Sequence, residues 1–104
     1  MVEKFIKDGK IAVLYSPGYG AGWYTWNEGY GDVLVFDKDI VAAVLEGDNT
    51  KAEQIAEEKC PDAYLGGAHS LKIMWLNPGD EFEITEYDGS ESVHVIGSRN
   101  YLIA

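Results

Sequence analysis

Apolar and polar residues follow two different patterns in the first part of the chain. Ile11 to Tyr15 is an almost continuous apolar run, which is typical of a strand buried on both faces. Asp8-Gly9 precedes it and favours a hairpin turn that returns from an extended run beginning at Val2. Val33–Phe36 is also apolar but short, and it fits either a strand or the entry to a helix. The first third is therefore predicted to supply a buried strand and its hairpin partner.

The middle of the chain has the apolar spacing of two short helices. The first has Asp37 or Asp39 available as N-cap and ends at Gly47. The second starts at Thr50, which begins a capping-box pattern, and ends before Pro61. Their apolar faces are Ile40, Val41, Val44 and Leu45 in the first helix, and Ala52, Ile55, Ala56 and Cys60 in the second. Helices this short need a sheet to pack against.

In the last third, apolar residues recur at every second position, which predicts an antiparallel meander. Asn77–Asp80 and Asp88-Gly89 have turn sequences. The acidic residues of this part are expected to form a solvated strand face, with a calcium site or a nucleic-acid-like surface as alternatives: Asp80, Glu81, Glu83, Glu86, Asp88 and Glu91. The whole pattern predicts an α+β fold in a single globular domain, residues 1–104. We expect a mostly antiparallel sheet of about five strands, with two short helices packed on one side.

The amino-acid composition excludes some classes of binding partner. The formal net charge is −10, which opposes non-specific binding to nucleic acid or to an anionic membrane. Cys60 is the single cysteine, so no disulfide forms within the chain. No apolar leader or membrane-length run is found, and we expect a protein of the cytoplasm that needs no cofactor.

One segment combines glycine and aromatic residues to an unusual degree. This aromatic segment, Tyr15–Asp32, holds five of the twelve glycines and six of the thirteen aromatic residues. Glycine allows close approach of a backbone to a ligand, and Trp and Tyr supply flat apolar faces with one polar group. It lacks both the Gly-x-Gly-x-x-Gly and the Walker A patterns. We expect these of its residues to contact a ligand: Tyr19, Gly20, Gly22, Trp23, Tyr24, Trp26 and Asn27.

A second Gly-rich stretch contains a candidate polar group, His69. The stretch is Gly66–Ser70, and it lies at the end of a loop that starts at Asp62 and precedes a predicted strand. This loop and stretch together are here named the His69 loop. We expect the two loops to converge on a pocket walled by Trp23 or Trp26, with His69 at its polar edge and a subunit boundary nearby. The alternatives are that the aromatic rings fill the end of the core, and that His69 is a surface or capping residue.

Catalytic machinery is poorly represented, and we predict that the protein is not an enzyme. Ser16 lacks the nucleophile-elbow pattern, and Cys60 lies on the apolar stripe of a helix. His69 and His94 do not have the spacing of metal ligands, so no metal site is predicted. A small hydrolase would require His69 within hydrogen-bond reach of a carboxylate in a cleft.

Three stretches together resemble small proteins encoded by phages and prophages. They are LYSPGYGAGWYTWN at residues 14–27, FDKDIVAAVLEGD at 36–48 and PDAYLGG at 61–67. The resemblance implies a viral or mobile-element origin and brings no catalytic residues with it. It also suggests an analogy with small oligomeric phage proteins that sequester nucleotide signals of host immunity.

These observations lead to a hypothesis of non-catalytic ligand binding. A homo-oligomer is expected to enclose a small, nucleotide-derived signal in the host-cell cytoplasm. Trp or Tyr rings of the aromatic segment would stack on the base, the amides of Gly20 and Gly22 would meet phosphate, and Asn27 would contact a base or sugar edge. The alternative is a protein–protein interaction module that inhibits a host protein through the same Trp/Tyr loop.

Overall fold

The computed structural model describes residues 3–18, 22–96 and 102–103 of the chain. The described strands are β1 (Ile6–Lys7), β2 (Lys10–Tyr15), β3 (Lys72–Leu76), β4 (Glu81–Tyr87), β5 (Ser90–Ile96) and β6 (Leu102–Ile103). The α-helices are α1 (Gly31–Phe36), α2 (Lys38–Leu45) and α3 (Asn49–Lys59), with short 3₁₀ turns at Glu28–Tyr30 and Ala68–Ser70. The fold is α+β with antiparallel strands, as the sequence predicts.

The first sheet has the order β1-β2-β3, with β2 in its centre. The hairpin between β1 and β2 turns at Asp8 and Gly9, whose φ angles are 53° and 75°. Two consecutive positive φ values define the type I′ geometry that suits the twist of paired strands, so the predicted turn is confirmed. On the other side of β2, Val13 lies opposite Met74 of β3.

The second sheet has the order β5-β4-β6, so the strands form two sheets rather than one. After a turn at Asn77–Gly79 the chain does not continue the first sheet. Phe82 and Ile84 of β4 pack instead against the face of β2 that carries Ile11 and Val13. Burial of this second face of β2 explains why β4 crosses over the first sheet.

The apolar run Val33–Phe36 is helical and belongs to α1. Asp37 caps α2, since its carboxylate accepts a hydrogen bond from the Ile40 amide at 3.4 Å. The expected capping box at Thr50 is wrong. The cap of α3 is Asp48, which accepts from the Lys51 amide at 3.0 Å.

The first sheet separates two clusters of buried side chains. The helix-side core lies between this sheet and the helices, and its largest members include Leu14, Trp23, Leu34 and Ile40. The sheet-side core lies between the two sheets and α1, and it contains Ile11, Val13, Val35, Phe36, Leu76 and Phe82. In the described part of the chain, no helix has the length and apolar character needed to cross a membrane.

Candidate functional site

A buried carboxylate from β5 organises the aromatic segment. Glu91 is 1 % exposed. Its Oε1 accepts a hydrogen bond from the Ser16 amide at 2.9 Å, and its Oε2 accepts from the Trp23 amide at 3.0 Å. The amide and the hydroxyl of Thr25 both donate to Oε2 at 2.8 Å. The backbone N–H groups of the segment thus converge on an anion that the protein itself provides.

Further backbone bonds attach the same segment to the β4–β5 hairpin. The Gly22 amide donates to the Gly89 carbonyl at 2.8 Å, and the Glu91 amide donates to the Ser16 carbonyl at 2.8 Å. The Ser90 hydroxyl donates to the Pro17 carbonyl at 2.6 Å. The Gly22 amide, predicted to meet phosphate, is therefore already engaged within the protein.

Glu91 is a correction to the sequence analysis, which placed it on a solvated strand face. The spacing of the residues indicated the burial of Glu91. Residues two apart in a strand lie on the same face, and Val93 packs against the sheet-side core, so Glu91 lies on the inner face of β5. An acidic residue on the inner face of a strand requires buried hydrogen-bond donors, and here the donors are N–H groups of the aromatic segment. The exposed acidic residues of the hairpin, Glu86 and Asp88, do lie at the surface.

Trp23 fills the core and does not wall a pocket. Its side chain is fully buried, and its indole N–H donates to the Leu34 carbonyl at 2.7 Å. Trp26 differs, with 45 % of its surface exposed, and Tyr24 is half-buried. Trp23 therefore fills the core, as the alternative interpretation of the aromatic rings expected, whereas Trp26 does not. Tyr19 and Gly20 lie outside the described residues.

Glycines support three of the aromatic rings directly. A Cβ at Gly22 would overlap the Trp26 indole, and one at Gly66 would overlap the Tyr64 ring. A Cβ at Gly31 would lie 2.8 Å from the Tyr24 ring. The abundance of glycine beside aromatic residues therefore has a packing cause, because only a hydrogen at Cα leaves room for each ring.

The aromatic segment and the His69 loop meet, as the sequence analysis expected. The Ser16 hydroxyl donates to the Gly67 carbonyl at 2.9 Å. Asn27 bridges the loops twice, since its Nδ2 donates to the Tyr64 carbonyl at 2.6 Å and its Oδ1 accepts from the Tyr64 amide at 2.7 Å. Asn27 Nδ2 also donates to the Trp23 carbonyl at 2.7 Å. The Asn27 side chain is thus engaged in holding the loops together.

Tyr64 is a residue that the sequence analysis missed. Its ring lies 5.2 Å from that of Trp26, centroid to centroid, with 43° between the ring planes, and 47 % of its surface is exposed. We name Trp26 and Tyr64 the aromatic pair. No local pattern marks Tyr64, because the ring contact depends on how the two loops meet.

A cavity of about 400 Å³, here named the loop-junction pocket, opens where the start of the aromatic segment meets the end of the His69 loop. The residues that line it come from both loops, α3 and β3: Pro17, Gly18, Asn49, His69, Ser70, Leu71 and Lys72. His69 lies at the pocket as predicted, but neither Trp23 nor Trp26 is among the lining residues. The Asn49 side chain donates to the Ala68 carbonyl at 3.0 Å and fixes the loop against α3.

The nearest carboxylate contact of His69 does not form a hydrogen bond. Its Nε2 lies 3.7 Å from Glu53 Oε1, and 67 % of the His69 side chain is exposed. Among the described residues, no group of three or more His, Cys, Asp or Glu side chains is arranged to hold a metal ion. The Cys60 thiol is buried, and burial raises its pKa, with the Asp37 carboxylate raising it further. A thiol held in its neutral form is a poor nucleophile.

Comparison of the chain with models of known protein families, with curated proteins and with solved structures gave no match.

Proposed function

We propose that this chain is a non-catalytic ligand-binding protein that holds a small anionic ligand in the loop-junction pocket. The observation that carries the proposal is the meeting of the two loops at a cavity lined by His69 and Lys72. The pocket is an open cleft, and its volume of about 400 Å³ lies near the lower end of the range of small-molecule sites. In a chain with a net charge of −10, a cavity with one cationic and one protonatable side chain favours an anion.

A nucleotide-derived signal of host immunity is the ligand class that we propose, and it rests on the resemblance to phage proteins. Lys72 and His69 would contact phosphate, and the base would extend beyond the pocket, because neither Tyr24 nor Trp26 lines it. Trp23, Gly22 and Asn27 no longer belong to this proposal, because their polar groups bind other parts of the chain. A homo-oligomer in the host cytoplasm that closes the open side of the pocket is part of the same proposal.

Calorimetry and thermal shift with a defined panel test the proposal. The panel contains inorganic phosphate, linear mononucleotides, and cyclic mono- and dinucleotides. One member is expected to raise the melting temperature, and Lys72→Ala is expected to weaken its binding about tenfold or more, since a charge-assisted hydrogen bond is lost. His69→Ala should weaken it as well, because a side-chain hydrogen bond to the ligand is lost.

Lys10→Ala provides the matched control. Lys72 of β3 pairs with Tyr15 at one end of β2, and Lys10 lies at the other end of β2. The two lysines are therefore separated by about 17 Å along the sheet. No response to any member of the panel, or equal losses in Lys10→Ala and Lys72→Ala, would reject the proposal.

A further inference from the structure

We infer that the aromatic pair, Trp26 and Tyr64, is a docking surface for a basic, arginine-containing segment of a partner protein. The two rings are 45 % and 47 % exposed and lie side by side. Exposed Trp and Tyr beside each other are the residues most often found at the energetic centre of protein interfaces. This inference concerns a different surface from the loop-junction pocket, which neither ring lines.

The aromatic pair is held in one arrangement before any partner arrives. Asn27 joins the backbone of Tyr64 by two hydrogen bonds of 2.6 and 2.7 Å, immediately after Trp26 in the chain. Gly22 and Gly66 lie directly beneath the two rings, so each ring packs against backbone where any other residue would place a Cβ. The Thr25 amide and hydroxyl are bound to the buried Glu91. A surface ordered in this way loses little conformational entropy on binding.

Charge determines which partner fits. Residues 11–37 and 60–71, which carry the aromatic pair, contain no Lys or Arg. Asp62 is exposed two residues before Tyr64, and Asp32 is exposed in the first turn of α1. A guanidinium group stacks on Trp and Tyr faces, and a basic segment is attracted to a part of the chain that carries acidic residues and no Lys or Arg, whereas an acidic partner would be repelled.

Titration with model peptides tests the inference. The probes are an arginine-rich nonapeptide, a lysine-rich peptide of equal length and charge, and an acidic peptide of equal length. The arginine peptide is expected to bind more tightly than the lysine peptide, and the acidic peptide should show no binding. Trp26→Ala and Tyr64→Ala should each weaken arginine-peptide binding about three- to thirtyfold, which corresponds to the loss of one cation–π contact.

Tyr87→Ala is the matched control, because Tyr87 of β4 is a 73 % exposed tyrosine whose ring is not in contact with either ring of the aromatic pair. Trp26→Phe keeps a ring at the site and should retain more binding than Trp26→Ala. Asp62→Lys should weaken binding without touching either ring, which separates docking from a folding defect. Circular dichroism must show unchanged folding for each variant used.

Three results would overturn the inference. Equal affinities for wild type, Trp26→Ala and Tyr87→Ala would mean that the peptide binds only to the overall negative charge. Preference for the lysine peptide would remove the role of ring stacking. Concentration-dependent self-association that is lost in Trp26→Ala would assign the surface to a second copy of the chain. Lys72→Ala changes the loop-junction pocket and not the aromatic pair, so it should weaken nucleotide binding and leave arginine-peptide binding unchanged. Failure of one proposal can therefore be told from failure of the other.

Discussion

Glu91 shows how a single side chain fixes the candidate site. Its two carboxylate oxygens accept four hydrogen bonds, three from backbone amides and one from the Thr25 hydroxyl. A buried carboxylate is costly unless each of its lone pairs is used, and here the donors come from the segment that carries the aromatic rings. The stability of the loop and the placement of Trp26 therefore depend on the same residue.

Glu91→Gln is expected to lower the free energy of unfolding by about 2–3 kcal/mol. In either orientation of the new side chain, its NH₂ group would face an N–H donor that the carboxylate had accepted from. Urea denaturation measures the loss. Glu83→Gln removes an equal charge from the opposite face of the same sheet and should change stability by less than about 0.5 kcal/mol. Similar losses in both variants would show that net charge, and not the hydrogen bonds, is responsible.

The buried Cys60 thiol gives a pH-dependent prediction. Its pKa is raised from the ordinary value of 9.0 by burial, so the unfolded chain loses this proton at a lower pH than the folded protein does. The contribution to stability is therefore present below pH 9 and is lost as the pH rises towards the folded-state pKa. Stability of the wild type should fall between pH 8.5 and 10 more steeply than that of Cys60→Ala, by at most about 1.4 kcal/mol per pH unit. Parallel stability curves would contradict the prediction.

At the scale of elements, the candidate site is a contact between two loops that are anchored to different neighbours. The β4–β5 hairpin holds the aromatic segment, and α3 holds the His69 loop through Asn49. The two loops also lie close together at Gly67, where a Cβ would overlap the Gly22 carbonyl oxygen and lie 2.8 Å from the Ser16 hydroxyl oxygen. Absence of a side chain at this position is thus a condition for the loops to meet.

Gly67→Ala is expected to push the two loops apart and to destabilise the fold by about 1–3 kcal/mol, because backbone atoms cannot yield as a flexible side chain does. Gly29→Ala is the control, since a Cβ there meets no atom within 4 Å. Thermal and urea unfolding of the two variants, with hydrogen exchange at the Gly22 amide, provide the measurement. Equal stability of both variants would mean that the loops are not tightly packed in solution.

At the scale of the whole molecule, β2 is buried on both faces and joins the two cores. Leu14 belongs to the helix-side core, Phe82 belongs to the sheet-side core, and both are fully buried. Glu91 links the second sheet to the segment that carries Trp23, which is itself part of the helix-side core. The two cores are therefore expected to unfold together.

Leu14→Ala and Phe82→Ala should each lower stability by about 2–5 kcal/mol while leaving a single unfolding transition. Tryptophan fluorescence follows the helix-side core through Trp23, and far-ultraviolet circular dichroism follows the whole backbone. The two signals should change at the same urea concentration in each variant. If Phe82→Ala lost circular dichroism signal at a lower urea concentration than tryptophan fluorescence, the second sheet would unfold independently of the helix-side core.

Local chemistry was sufficient to predict most elements but not how they assemble. Asp8-Gly9 and Asp88-Gly89 form the expected turns, because both positions of each pair adopt positive φ. The run Val33–Phe36 gave no period by which to choose helix or strand. The division into two sheets depends on which face of β2 remains to be covered, a property that becomes defined only in the tertiary structure.

The meeting of the two loops was predicted, but most of the contacts between them were not. The two Gly-rich loops do meet, and His69 does lie at the cavity. Trp23, Gly22 and Asn27 were expected to face a ligand, but the folded chain supplies partners for their polar groups. A sequence lists donors and acceptors without saying which will meet inside the protein, and this is why a self-provided anion at Glu91 was mistaken for surface charge.

The distance along the chain between Glu91 and its donors has a consequence for synthesis of the protein. The hydrogen bonds to Ser16, Trp23 and Thr25 span 75, 68 and 66 residues. At ordinary translation rates, the aromatic segment is synthesised roughly 3–15 s before the carboxylate that orders it. Such long-range contacts also form late in refolding, because loop closure must precede them. A nascent chain therefore passes through a stage in which the aromatic segment exists without its organising anion, and the segment becomes ordered only in the finished molecule.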